Sequence, residues 1–367
     1  MKIQCEKVDL VRGIQVVQNA LTSTTLPILS HVLMIAEGGK VRLVATNLET
    51  TIESSFSAKI LQEGRICLPG GKIFEIMREA PSPRVDLEVS DDKATIACGR
   101  AIFHLLCLEA SEFPELPKLE KENVFSLPQE ILREMVQKTF FAASSDETRP
   151  SLNGVYMAIK DGEMRMVATD GRRLSFIKAS SSSFREIPPV EAIVPLRALR
   201  QLMRILGKGE EVRIGLSKHQ VFFQLDDILL ISQLIEAEFP DYEKVIPKEY
   251  NVAILTDKDE LFGVIRRVSL LSDEKSRLIK FELKENTLLV SSNNPEMGYA
   301  QEELTVKREG EGALKVGFNY TYLLDVLKNM KGEVRLELID PLSPGVIRPA
   351  EDKDYVCVVM PIRIEEG

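Results

Sequence analysis

Tryptophan is absent from this 367-residue sequence, and aromatic residues of all kinds make up only 6% of it. That scarcity argues against the stacked-base platforms of single-strand nucleic-acid binders, which need an aromatic face for successive bases. Histidine is nearly absent: His31, His104 and His219 are the full set, none in an H-x-x-x-H pair and none near a paired cysteine. No metal site is expected from such a set. The five cysteines (Cys5, Cys67, Cys98, Cys107, Cys357) are odd in number and contain no C-x-x-C. They read as reduced thiols of a cytoplasmic protein. No run approaches the roughly 18 apolar residues of a membrane span. Charge at Lys2 and Glu6 interrupts the N-terminus, so no leader is expected.

Signatures of catalysis are missing as well. G-x-S-x-G does not occur. Pro69-Gly70-Gly71-Lys72 lacks the leading glycine of a phosphate loop, and Ile73 stands where Ser or Thr would hold magnesium, so it reads as a turn opening a helix. Asp226-Asp227 reads as a hairpin tip rather than an acid/base pair. No nucleophile–base pairing is evident. The expectation is a protein with no catalytic residue and no cofactor.

What is present is a repeat. Leu43-Val44-Ala45-Thr46-Asn47-Leu48 resembles Met166-Val167-Ala168-Thr169-Asp170-Gly171, and Leu289-Val290-Ser291-Ser292-Asn293-Asn294 echoes both. Val44 to Val167 is 123 residues and Val167 to Val290 is again 123. Glu112-Phe113-Pro114 recurs as Glu238-Phe239-Pro240, offset by 126. A period this long marks repeated domains, and 44% hydrophobic residues are ample for their cores. The thirds are taken as 1–120, 121–249 and 250–367.

Each third reads with one grammar. Leu10, Ile14, Val17 and Leu21 step by four, three and four along one helix face. Alternating strands follow, joined by turn signals such as Glu37-Gly38-Gly39-Lys40 and Asp161-Gly162. A second helix is predicted at Lys72–Ala80, Pro195–Gly207 and Asn319–Met330 of the three thirds, and the third opens with one over Asp257–Leu271. Ser180–Ser183 reads as a solvated, mobile loop. Two helices and about eight short strands per third predict an α+β fold, with helices packed on antiparallel sheets.

Net charge is −9, which taken alone argues against nucleic acid. Its distribution argues otherwise. The six helical segments carry +6 and the rest of the chain −15. Arg197, Arg200, Arg204 and Lys208 step by three, four and four with no acid among them, opposite Leu199, Leu202, Met203 and Leu206. Such a row suits phosphates, which bind by charge without sequence information. Thr169-Asp170-Gly171-Arg172-Arg173-Leu174 places glycine where a backbone can turn tightly. With Leu152, Val245, the terminal Val358-Val359-Met360 and Ile362 nearby it would frame an apolar cleft. On residues alone, a monomeric three-domain enzyme using this cleft and a structural homodimer without DNA both stay open.

Several strings then meet in one family: Leu26-Pro27-Ile28-Leu29, Leu152-Asn153-Gly154, Val167-Ala168-Thr169-Asp170-Gly171, Glu238-Phe239-Pro240-Asp241-Tyr242, Asn293-Asn294-Pro295-Glu296, Gly317-Phe318-Asn319 and Val359-Met360-Pro361-Ile362-Arg363. Over its whole length the chain resembles the bacterial β sliding clamps, processivity subunits of DNA polymerase III. The resemblance implies three clamp-type domains forming half of a closed ring, completed by a head-to-tail homodimer. It implies a ring that slides on double-stranded DNA without reading sequence, and a pocket that tethers polymerase, clamp loader and other replication and repair proteins by a short Gln- and Leu/Phe-containing segment. The pocket carries over onto Arg149, Leu152, Thr169, Gly171, Arg172, Arg173, Leu174, Pro240, Lys244, Val245, Val358, Val359, Met360, Pro361 and Arg363. DNA contact is expected from Arg197, Arg200, Arg204 and Lys208, with Lys72, Arg100, Lys275 and Arg277. The apolar part of the dimer interface carries over onto Phe103 and Leu105 against Leu270 and Leu271. Pro150-Ser151 stands where some members have an aromatic pair, Arg172 where some have His, and Ser23-Thr24 where some have a basic residue. The expected location is the cytoplasm, on the nucleoid during replication.

Overall fold

The computed structural model describes residues 1–22, 26–207, 209–311 and 314–364. The first third runs β1 (Lys2–Glu6), α1 (Lys7–Val17), β2 (His31–Glu37), β3 (Lys40–Thr46), β4 (Thr50–Ser57), β5 (Lys59–Gln62), β6 (Gly64–Pro69), α2 (Gly70–Glu79), β7 (Arg84–Ser90), β8 (Lys93–Cys98) and β9 (Ala101–Leu106). The second runs β10 (Val124–Pro128), α3 (Gln129–Gln137), β11 (Gly154–Lys160), β12 (Glu163–Thr169), β13 (Arg173–Ser180), β14 (Val190–Pro195), α4 (Leu196–Ile205), β15 (Glu211–Leu216), β16 (Gln220–Leu225) and β17 (Ile228–Gln233). The third runs β18 (Val252–Asp257), α5 (Lys258–Val268), β19 (Leu278–Lys284), β20 (Thr287–Asn294), β21 (Gly298–Thr305), β22 (Lys307–Gly310), β23 (Leu314–Asn319), α6 (Tyr320–Lys328), β24 (Glu333–Leu338), β25 (Gly345–Pro349) and β26 (Tyr355–Val359).

The helices end where local chemistry stops them. Asp257 accepts from the Asp259 and Glu260 amides and starts α5, and Asn319 accepts from the Thr321 amide and starts α6. Such side chains satisfy amides that a helix start leaves free. Helix α5 is shorter than expected, because Ser269–Leu271 tightens into a 3-10 turn. Helix α2 starts at Gly70, earlier than expected. A Cβ there would stand 2.4 Å from Leu21 Cδ1, so Gly70 serves close packing, whereas a Cβ on Gly71 would meet open space. The serine run is not an unstructured loop: Ser181 Oγ accepts from the Ser183 amide, and the buried Phe184 anchors the turn Ser182–Phe184.

The chain falls into two compact units, Met1–Glu130 with Arg197–Leu234, and Ile131–Leu196 with Ile235–Gly367. They cut across the sequence thirds because the sheets do. In the first unit one sheet has the order β5-β1-β7-β8-β9, and the other, β10-β15-β16-β17-β4-β3-β2-β6, joins strands of the first and second thirds. The joint is the antiparallel pair β17–β4, Ile231 opposite Thr51. In the second unit the sheet β14-β11-β12-β13-β26-β25-β24-β18-β22 joins second and third thirds, and β21-β20-β19-β23 stands as another sheet. Its joint is the corresponding pair β13–β26, Leu174 opposite Val358. Helix α1 buries Leu10, Ile14 and Val17, and α5 buries Leu261, Val264, Ile265 and Val268. Each fully buried aliphatic side chain contributes roughly 1.5–3 kcal/mol.

Candidate functional site

The second unit holds an apolar cavity of about 140 Å³. One wall is the turn between β12 and β13, which the sequence Thr-Asp-Gly-Arg-Arg builds itself. Thr169 Oγ1 donates to the Arg173 carbonyl at 2.6 Å and accepts from the Gly171 amide at 3.1 Å. Asp170 Oδ1 accepts from the Arg172 and Arg173 amides, both at 2.9 Å. The closure drives Gly171 to φ +86°, a left-handed conformation that glycine adopts without a Cβ penalty.

Arg173 fixes this turn from behind. Its guanidinium donates to Asp170 at 3.1 Å, to Asp325 of α6 at 2.6 Å and to the Phe141 carbonyl at 2.7 Å. It also lies 4.6 Å from the centroid of the Tyr322 ring. A guanidinium with this many fixed partners is a structural rivet and not a mobile contact. The terminal strand closes the other side: the Met360 amide donates to the Arg172 carbonyl at 2.9 Å, and the Ile362 amide to the Gly317 carbonyl at 2.8 Å. The segment Pro240–Val245 forms the remaining wall. Tyr242 stacks on Phe176, and Phe239 on Tyr156, at centroid distances of 5.8 and 5.0 Å. Burial pushes the Tyr156 and Tyr242 phenols up, so both stay neutral.

Ten of the residues expected at the pocket line it together: Leu152, Thr169, Gly171, Arg172, Arg173, Leu174, Pro240, Val245, Val358 and Met360. Tyr242 lines it too and was not anticipated. Its place between Pro240 and Val245 was the available signal. Arg149 stands at the rim, where a Cβ on Gly171 would lie 3.4 Å from Nη1. Val359 is fully buried, paired with Arg173 across the strands. Lys244 turns to solvent and pairs with Asp241 at 2.7 Å. Pro361 is half-buried and Arg363 exposed, outside the lining. A larger cleft of about 440 Å³ in the same unit has Glu134, Lys138, Lys331, Glu333, Glu351 and Asp352 in its lining. There Lys138 bridges Glu134 and Asp352, so these charges are satisfied within the chain.

The cation row lies in the first unit. Arg197, Arg200 and Arg204 are exposed on α4, while Ala198, Leu199 and Leu202 are buried. None of the three makes an ion pair with a described residue; Lys208 lies outside the described residues, as do Ser23 and Thr24. Lys72 is tied to Glu75 at 2.5 Å. Arg100 is exposed in the turn between β8 and β9. Lys275 and Arg277, in the second unit, are exposed on a loop held by Asp273, whose carboxylate accepts from the Ser276 amide at 2.7 Å.

β9 and β21 are edge strands of their sheets. On β9 the pleat turns Leu105 inward, to 9% exposure, with Phe103 half-buried. The apolar residues it shows to solvent are Ile102 at 62% and Leu106 at 75%. The two-residue period places them opposite Phe103 and Leu105. Leu270 is exposed and Leu271 half-buried, in a turn packed against β21. Met297 and Tyr299 add exposed apolar surface at the start of β21.

Three domain families match the chain: DNA polymerase III beta subunit, N-terminal domain over residues 1–117, central domain over 126–241 and C-terminal domain over 243–363. The sequence is 31% identical over 369 residues to the beta sliding clamp of Chlamydia pneumoniae, covering all of both chains. The fold is similar to the crystal structure of the DNA polymerase III subunit beta from Pseudomonas aeruginosa, with TM-score 0.96 and 32% identity over 99% of this chain and 100% of that one. It is also similar to the DNA polymerase sliding clamp from Bacillus subtilis, with TM-score 0.95 and 31% identity over the full length of both.

Proposed function

The chain belongs to the DNA polymerase III beta subunit family, and on that premise we propose that two copies close head to tail into a ring around duplex DNA and tether the polymerase through the cavity beside Gly171. The chain is a three-domain, non-catalytic processivity clamp of DNA polymerase III, acting in DNA replication. The finer reading has the thirds 1–120, 121–249 and 250–367 as its domains, and it operates in the cytoplasm on the nucleoid. No helix of the described residues is long and apolar enough to cross a membrane.

The observation that carries the tethering role is the cavity itself. Leu152, Leu174, Val245, Val358 and Met360 offer an apolar floor and walls, while the rigid turn holds them open. A short segment with leucine or phenylalanine anchors would bury there, and a preorganised cleft loses little entropy on closing around it. Polymerase, clamp loader and repair proteins would compete for it. The exposed arginines of α4, with Arg100, Lys275 and Arg277, are the groups offered to phosphate. A closed interface would form by β9 of one copy pairing with β21 of another, which removes two free edges. Ile102 and Leu106 would contribute beside Phe103, with Leu270, Met297 and Tyr299 opposite.

Deleting Met360 to Gly367 tests the tether. Primer extension by the polymerase with its loader should lose its clamp-dependent processivity, while the truncated protein still sediments as a dimer. Full stimulation by the truncated dimer would refute the pocket's role.

A further inference from the structure

We propose that Asn19 is a positioning residue that aims Arg204 at the DNA backbone; this rests on reading the α4 row as a phosphate-contacting face. Helix α1 ends at Val17 with no basic residue in its last turn; the Gln18 amide bonds back to the Ile14 and Val16 carbonyls, and a carbonyl oxygen can accept a second, side-chain donor. Asn19 supplies it. Its Nδ2 donates to the Gln15 carbonyl at 3.2 Å and to the Val16 carbonyl at 2.9 Å. Carbonyls only accept, so the amide orientation is fixed, and Oδ1 must face away from α1. There it accepts from Arg204 Nη1 at 3.1 Å, a group that only donates. Gln201, 5% exposed and one turn before Arg204 on α4, donates Nε2 to the Asn19 carbonyl at 2.8 Å. Asn19 thus joins the end of α1, in the first third, to α4, in the second.

The consequence is specific to one arginine. Arg197 and Arg200 have no such anchor among the described residues. Arg204 gives one of its donors to Asn19 and keeps the others, and its charge, exposed. A long side chain held in this way gives up less freedom when it meets a phosphate. Because the anchor is neutral, it orients the guanidinium without cancelling the charge that the phosphate needs.

The test is binding of the dimeric protein to a short fluorescent duplex at a series of low salt concentrations, with Arg204→Gln, Asn19→Ala, the double variant and Asn19→Asp. Arg204→Gln should lower the slope of log affinity against log salt by about 0.9, one phosphate contact. Asn19→Ala should weaken binding about fivefold with the slope kept, and the double variant should be no weaker than Arg204→Gln alone. Asn19→Asp should flatten the slope as Arg204→Gln does, because its carboxylate neutralises the guanidinium. Wild-type affinity in Asn19→Ala, or losses that multiply in the double variant, overturns the proposal. If Asn19→Ala misfolds, an unflattened slope in Asn19→Asp overturns it equally. If Arg204→Gln itself changes nothing, the phosphate reading of the row fails, and the proposal with it.

Discussion

The turn at Thr46–Thr50 and the turn at Thr169–Arg173 share their bonds one for one. Thr46 Oγ1 accepts from the Leu48 amide at 3.1 Å, as Thr169 does from Gly171. Asn47 Oδ1 accepts from the Glu49 and Thr50 amides, as Asp170 does from Arg172 and Arg173. The Gln233 amide donates to the Glu49 carbonyl, as the Met360 amide does to Arg172. Only the side chains differ. Leu48, at φ +78° and 51% exposed, stands where Gly171 leaves space. Thr51 takes the place of Leu174 and Ile231 that of Val358, and the Thr51 hydroxyl meets Thr46 Oγ1 at 2.9 Å. One backbone design therefore carries an apolar cleft in one unit and, in the other, an exposed leucine above a buried pair of threonines. The cleft is a property of four or five side chains, not of the repeat.

Moving the difference across should break it. Gly171→Leu copies Leu48 onto a turn of nearly the same φ, so the backbone tolerates it at about 1–2 kcal/mol. The side chain then occupies the cleft, and affinity for a polymerase-derived peptide, read by fluorescence polarisation, should fall on the order of 100-fold. Unchanged affinity would place the peptide elsewhere.

Acid titration should separate the units next. Glu163 is held below the usual carboxylate range by its hydrogen bond from Lys178 at 2.7 Å, with Arg165 nearby. A depressed carboxylate contributes stability above its unfolded pKa, lost as pH falls through the folded one. In the first unit burial pushes Glu53 up, partly offset by Arg42 at 3.5 Å. Its contribution has the opposite sign: present in acid and lost as pH rises through its folded pKa. Urea midpoints should therefore fall less steeply with acid in Glu163→Gln, and more steeply in Glu53→Gln, than in the parent. The smallest effect is expected from Leu48→Gly. It relieves a left-handed leucine but gives the unfolded chain more freedom, for a net gain of about 0.5 kcal/mol in urea unfolding and no change in peptide affinity.

Much of this was legible in sequence. The period of 123 residues located both turns, and Thr-Asp-Gly with the terminal Val-Val-Met named most of the cleft. What escaped depended on partners distant in sequence. Tyr242 lines the cavity because its ring rests on Phe176. Leu105 faces inward because β9 pairs with β8 in one particular register, Leu105 opposite Ala94. A one-residue slip would have exposed it instead. The division of the sheets between two units was hidden for the same reason: strand pairing across thirds leaves no local mark.

The central claim is encirclement, and topology tests it most directly. Load the protein onto nicked circular DNA with a clamp loader, isolate the complex at high salt, and cut the circle once. A ring is retained on the circle and released on linearisation. Equal loss from circle and line, with a loader shown to work on another clamp, would contradict the account and leave only electrostatic binding.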